Sequence, residues 1–176
     1  AQQGDVNPVK PAPYLGSLKL SYKRAWEVSA PEKDPNAVMT RPLKDAKQTT
    51  QYFDGLGRLL QAVVKQGSLQ TGCSAVDFVS PVVYDEFGRE TRQYLPFASP
   101  ESNGGLKLDP FDQQAAFYLD PNGVLQGQGQ TYFYSKQQYE SSPLHLVRET
   151  FAPGNSWIGT STEVNESDRR SVKTKY

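Results

Sequence analysis

One short pattern constrains this chain more than any other, because it occurs twice. An aromatic residue, Asp, two variable residues, Gly and Arg stand in order in YFDGLGR, and again 31 residues later in YDEFGR. Asp at the first position of a type I turn accepts a backbone N–H two residues ahead. The fourth position then falls in left-handed backbone, where Gly meets no steric cost. A type I turn closed by such a Gly joins antiparallel strands through a bulge. Asp54 with Gly57, and Asp85 with Gly88, therefore specify tight turns, and Arg58 and Arg89 are placed to reach back to the Asp. KQTTQYF (47–53) and LLQAVVKQ (59–66) read as the arms of one hairpin. DFVSPVVY (77–84) and RETRQYLPF (89–97) read as the arms of a second. Asp120-Pro121-Asn122-Gly123 repeats the spacing without the Arg, as a degenerate third copy.

The rest of the chain points the same way. LKLSYKRAWEVSA (18–30) alternates loosely and is rich in aromatic and β-branched residues, which predicts a strand; TYFYSKQQY and LHLVRETF predict two more. Residues 1–16, with Pro8, Pro11 and Pro13, read as an extended lead-in to a single β-rich domain over 17–176. PEKDPNA (31–37) reads as a loop, and ASPESNGGLKLDP (98–110) holds enough breakers to predict a mobile one. FDQQAAFYL (111–119) is the one convincing helix, with Phe111, Ala115 and Tyr118 on one face. The tail ESDRRSVKTKY reads as a charged strand cut off from its partner. The expected class is mainly β, built of antiparallel hairpins with one short helix.

Composition removes some functions. The 19 basic and 19 acidic residues cancel, so the chain lacks the long-range field of a non-specific nucleic-acid binder. No apolar run approaches the roughly 20 residues of a membrane-spanning helix. The opening AQQGDVNP has neither an initiator Met nor a charged or apolar leader, which fits a chain released from a secretory signal, so export is expected. The single cysteine, Cys73, allows no intrachain disulfide and reads as a small buried hydrophobe.

YFDGLGR and YDEFGR resemble the tyrosine-aspartate motif of RHS-repeat proteins, in which Tyr-Asp is followed by Gly-Arg and an apolar residue. The ordered series YFDGLGR, YDEFGRETRQYLP, AAFY, ESSPLHLVRETFAPGNSW and SVKTKY is similar to the N-terminal domain that precedes the repeats in large secreted RHS-core proteins of Gram-negative bacteria. Phe53 departs from the Tyr of the motif, Glu90 departs from its apolar residue, and the copies stand farther apart than tandem repeats. The resemblance implies a non-enzymatic scaffold that starts or plugs a β-hairpin shell around a C-terminal effector, as in polymorphic toxins. The implied partner is the remainder of the same polypeptide, with secretion machinery or surface glycans as further ones. The self-cleaving aspartates of such proteins lie in a core region with no match here, so no catalytic residue carries over.

The candidates for chemistry are few. Asp54/Arg58 and Asp85/Arg89 could form carboxylate–guanidinium sites for catalysis or anion capture, but turn chemistry already explains each fixed residue. His145, the only histidine, alternates with Leu144 and Leu146 and is expected opposite them on a strand; no nucleophile-elbow pattern supports a triad. One His and one Cys exclude an ordinary Cys/His zinc site. Asp109, Asp112, Asp120 and Asn122 could offer oxygens to calcium but do not follow the EF-hand pattern, and capping by Asp109 and a turn at Asp120 account for them. No cofactor is expected. Trp26, Tyr132, Tyr134 and Trp157, with Phe133, form either a stacking platform for sugars or part of the core. Arg169, Arg170, Lys173 and Lys175 are countered by Glu163, Glu166 and Asp168, as on a solvated strand.

Overall fold

The structure is a computed structural model that describes residues 7–68, 74–123, 125–159 and 170–176. Its elements run β1 (Ser21–Val28), α1 (Pro35–Thr40), β2 (Ala46–Phe53), β3 (Leu59–Ser68), β4 (Val76–Pro81), β5 (Arg92–Tyr94) and β6 (Phe97–Ala98). They continue with α2 (Pro110–Leu119), β7 (Tyr134–Tyr139), β8 (Val147–Phe151) and β9 (Ser171–Lys173). The strands form two antiparallel sheets, ordered β1-β2-β3-β4-β6 and β5-β7-β8-β9. The protein is mainly β, with the helix at 110–119 where the sequence predicts it.

The chain divides into two compact units, and each holds one sheet. Ala12–Pro81 with Pro96–Phe117 carries the five-stranded sheet; Ala1–Pro11, Val82–Leu95 and Tyr118–Tyr176 carry the four-stranded one.

Period-two alternation builds the core of the five-stranded sheet. Ala46, Thr50 and Tyr52 of β2, Gln61 and Val63 of β3, and Asp77, Val79 and Pro81 of β4 all turn inward. Phe97 and Phe111 are buried in the same unit. Tyr14 sets its ring edge-on to Phe111 at 6.3 Å, its N–H donates to the Leu108 carbonyl at 2.7 Å, and its hydroxyl donates to the Leu60 carbonyl at 3.1 Å. In the other unit Tyr94, Tyr132, Phe133, Tyr134, Phe151 and Ile158 are buried. Tyr94 and Tyr134 meet at 5.2 Å, and their hydroxyls bond the carbonyl and the N–H of Val9 at 3.1 and 3.2 Å. The described part of the lead-in is thus tied down by tyrosines in both units.

Several expectations are corrected. The 31–37 loop gives way to α1, where Asp34 caps Asn36 N at 2.9 Å and Pro35 takes the first turn, a position that suits its fixed φ and missing N–H. DEFGR closes a tight turn, but its immediate flanks do not pair with each other: β5 pairs with β7, and the two predicted arms meet only where Val79 of β4 faces Phe97 of β6. The tail strand has a partner in this chain, because β9 pairs with β8. His145 lies in the turn before β8 with φ 49°, so strand alternation does not place it. Cys73, Glu163, Glu166, Asp168 and Arg169 lie outside the described residues.

The 98–110 segment is held rather than mobile. Lys107 Nζ donates to Asp77 Oδ2 at 2.9 Å, Glu101 Oε2 at 3.0 Å and Asn103 Oδ1 at 2.9 Å. Gln61 brackets the Lys107 backbone, accepting from its N–H at 2.9 Å and donating to its carbonyl at 3.2 Å. Gly104, at φ 69°, packs where an added Cβ would stand 3.0 Å from Lys65 Cβ.

Candidate functional site

The two Asp-x-x-Gly-Arg turns are near copies of each other in atomic detail. Gly57 N–H donates to the Asp54 carbonyl at 3.0 Å and Asp54 N–H to the Arg58 carbonyl at 2.9 Å; Gly88, Asp85 and Arg89 repeat both bonds at the same lengths. The glycine φ values are 79° and 76°, the left-handed conformation that the pattern demands. Oδ1 of Asp54 accepts from Leu56 N at 2.9 Å and Arg58 N at 2.8 Å, and Oδ2 accepts from Arg58 Nε at 2.8 Å. Asp85 does the same with Phe87 N, Arg89 N and Arg89 Nε at 2.9, 2.8 and 2.8 Å.

These bonds tune both carboxylates in one direction. The Arg58 backbone N–H is the largest influence on Asp54, and it outweighs partial desolvation to hold the carboxyl below its ordinary value. For Asp85 desolvation is the largest influence and pushes upward, but the bonds from Arg89 and Phe87 together prevail, and its value is also lowered. Carboxylates held ionised in this way are poor proton donors.

Arg89 is further enclosed. Its Nη2 lies 2.8 Å from Asp85 Oδ2, and its guanidinium carbon sits 4.9 Å from the Phe87 ring and 4.7 Å from the Tyr139 ring. Nη1 stands 3.0 Å from His145 Nδ1, which must accept because a guanidinium only donates. Phe87 also meets the His145 ring at 5.9 Å. The second turn therefore gathers the lone histidine, whereas the first turn has no histidine to gather. With its nitrogens bonded and rings against it, Arg89 is arranged to fix a turn.

The aromatic candidates separate. Tyr132 and Tyr134 are 6% and 2% exposed and meet edge to face at 6.0 Å, so neither offers a face to a sugar. Phe133 stacks on Tyr118 at 4.8 Å. Trp157 is 48% exposed, with the Arg170 guanidinium 5.1 Å from its ring. Its turn is braced by Asn155, which accepts from Thr131 N at 2.8 Å and donates to the Gly129 carbonyl at 2.9 Å. Trp26 lies half-buried on β1.

The oxygen-rich residues serve local structure. Asp109 Oδ1 accepts from Asp112 N at 3.4 Å at the start of α2, and Asp120 Oδ1 accepts from Asn122 N at 2.8 Å in the third turn. Among the described residues no three His, Cys, Asp or Glu side chains gather as a metal-binding group.

Sequence reasoning passed over the Lys107, Asp77 and Gln61 cluster. The signal was the alternation itself. In LLQAVV and DFVSPV, Gln61 and Asp77 share parity with Val63 and Val79, which places a polar side chain inside each strand.

Two antiparallel sheets carrying turns of this kind define a mainly β class of protein. Residues 24–171 match the model of DUF6443, a domain of unknown function, and the chain belongs to that family. No curated protein and no solved structure matches it.

Proposed function

We propose that this chain is a non-enzymatic scaffold domain at the N-terminal side of an exported bacterial RHS-repeat protein, where it starts or plugs a β-hairpin shell around a C-terminal effector. The observation that carries the reading is the use of the turn residues. Both Asp-x-x-Gly-Arg copies spend the Asp oxygens on their own loop and on the following Arg, as a repeated building element does. A second support is β9, the outermost strand of its sheet, on which Val172 is 70% exposed. Thr174 N–H donates to the Arg148 carbonyl at 2.9 Å, so Val172 also points its backbone at β8 and Ser171 points outward. In this reading the outward edge receives the next strand of the same polypeptide.

Hydrogen exchange tests it. In the chain ending at Tyr176, the Ser171 amide should exchange far faster than that of Val172; it should become protected when the reading frame that follows is included. Equal, full protection of both amides in the short chain removes the open edge. A reading frame with no tyrosine-aspartate repeats removes the RHS-repeat reading.

Exposure of Trp157 favours a second reading, a binding module for carbohydrate or a surface partner. Glycan-array binding that Trp157→Ala abolishes, with the fold intact, would select it over the scaffold.

A further inference from the structure

The longest edge strand belongs to the five-stranded sheet. β1 is the outermost strand of the five-stranded sheet, pairs with β2 over Ser21–Val28, and has no partner on its outer side among the described residues. Seven of its eight residues are exposed. Its alternation is nonetheless amphipathic. Tyr22, Arg24, Trp26 and Val28 stand opposite Tyr52, Thr50, Gln48 and Ala46, so they continue the core face of β2, and Tyr22 remains 63% exposed there. Ser21, Lys23, Ala25 and Glu27 occupy the polar face.

The backbone parity of β1 follows from one bond. Ser29 N–H donates to the Asp45 carbonyl at 3.0 Å, one step past the ladder, so the odd-numbered residues bond β2. Tyr22, Arg24, Trp26 and Val28 therefore direct their N–H and C=O groups outward. A strand adding antiparallel to this edge must oppose these residues with residues of the same outward kind.

The geometry points to a second copy of this chain, pairing β1 with β1 antiparallel about a two-fold axis through Ala25. Outward parity admits registers centred on any residue of β1; the two that pair most of Ser21–Val28 are centred on Arg24 or on Ala25, and side-chain chemistry separates them. A centre on Arg24 sets two guanidinium groups against each other on the axis. A centre on Ala25 sets Lys23 opposite Glu27 of the second copy, Arg24 opposite its Trp26, Tyr22 opposite its Val28 and Ser21 opposite its Ser29. Charge meets charge, cation meets indole, and aromatic meets β-branched residue, all favourable cross-strand pairs. Ala25 meets Ala25 in a non-hydrogen-bonded position, where side chains approach most closely and a small residue fits. Such a contact is isologous, so it closes at two chains instead of growing into a fibre. Charged residues on an edge ordinarily discourage pairing; here their order along the strand rejects one register and satisfies the other. The product is one continuous sheet whose uncovered core faces lie side by side.

Sedimentation and cysteine cross-linking test the proposal independently of the scaffold reading, because neither measures the β9 edge. In a Cys73→Ser background, Ala25→Cys should form an intermolecular disulfide under mild oxidation, since the Cα separation of about 4.5 Å in such a pair lies within disulfide reach. Lys23→Cys should not, because it faces Glu27. Lys23→Glu or Glu27→Lys should weaken dimerisation about tenfold by setting like charges opposite each other at both symmetric positions. Combining the two should restore it. Circular dichroism confirms that each exposed variant is folded. A chain that sediments as a monomer at its highest soluble concentration overturns the proposal. So does a dimer indifferent to both charge reversals with no Ala25→Cys cross-link.

Discussion

Lys107 Nζ lies 2.9 Å from Asp77 Oδ2, and neither side chain exposes any surface. The pair ties the 98–109 segment to β4, and Asp77 also accepts N–H bonds from Gln66 at 2.9 Å and Gly104 at 2.7 Å. Lys107→Met leaves a buried carboxylate without its cation and should cost about 3–5 kcal/mol. Replacing both, as Lys107→Met with Asp77→Leu, recovers less than usual because those amides lose their acceptor. Denaturant midpoints measure both, and a Lys107→Met midpoint equal to that of the parent would show that the pair carries no weight.

The turn glycines separate conformation from packing. An added Cβ at Gly57 meets nothing within 4 Å, so Gly57→Ala pays only for left-handed backbone, about 1–2 kcal/mol. Gly57→Val should cost more, because β-branched residues fit that backbone poorly. Arg58→Ala removes a partly exposed ion pair and should lose less than Gly57→Ala. Thermal denaturation gives the order; a larger loss for Arg58→Ala would move the weight from turn to ion pair.

Gly159 combines both penalties. Its φ is 66°, and an added Cβ would stand 2.3 Å from the buried Phe151 ring. Gly159→Ala should cost about 3 kcal/mol or more. Near-parental stability in a urea titration would contradict that packing.

Protonation has two signs here. Asp54, Asp85 and Glu101 have folded values below their ordinary 3.8, 3.8 and 4.5, so they stabilise above those values and the contribution is lost as pH falls through the lower folded ones. Glu90 is raised by burial, so its contribution is present at low pH and lost as pH rises through its folded value. Glu90→Gln should therefore raise the melting temperature at neutral pH, and an unchanged or lower value would refute it. Burial pushes Tyr14 from 10.0 up to about 12, so its contribution holds below pH 10 and disappears between the two values. Tyr14→Phe should shrink the alkaline loss of stability; an unaltered alkaline limb would show that Tyr14 does not set it.

The turns, which act within a few residues, were legible in the sequence. Asp54 and Asp85 dictate their turns through bonds that span at most four residues, so identical letters gave turns with nearly identical bond lengths. Asp34-Pro35 carried an equally local helix start, but so short a helix leaves no periodic face to read. Which strands pair past a turn depends on distant partners. YFDGLGR closes β2 on β3, whereas YDEFGR sends the chain from one sheet into the other. The breakers of 98–110 likewise suggested freedom until Lys107 met Asp77, 30 residues away. The sequence alone determined the turns, the strand alternation and the second helix, because backbone sterics and short hydrogen bonds suffice for them. Tertiary structure alone decided the sheet partners, the buried ion pair and the edges left open, because those energies arise only when remote segments exclude water together.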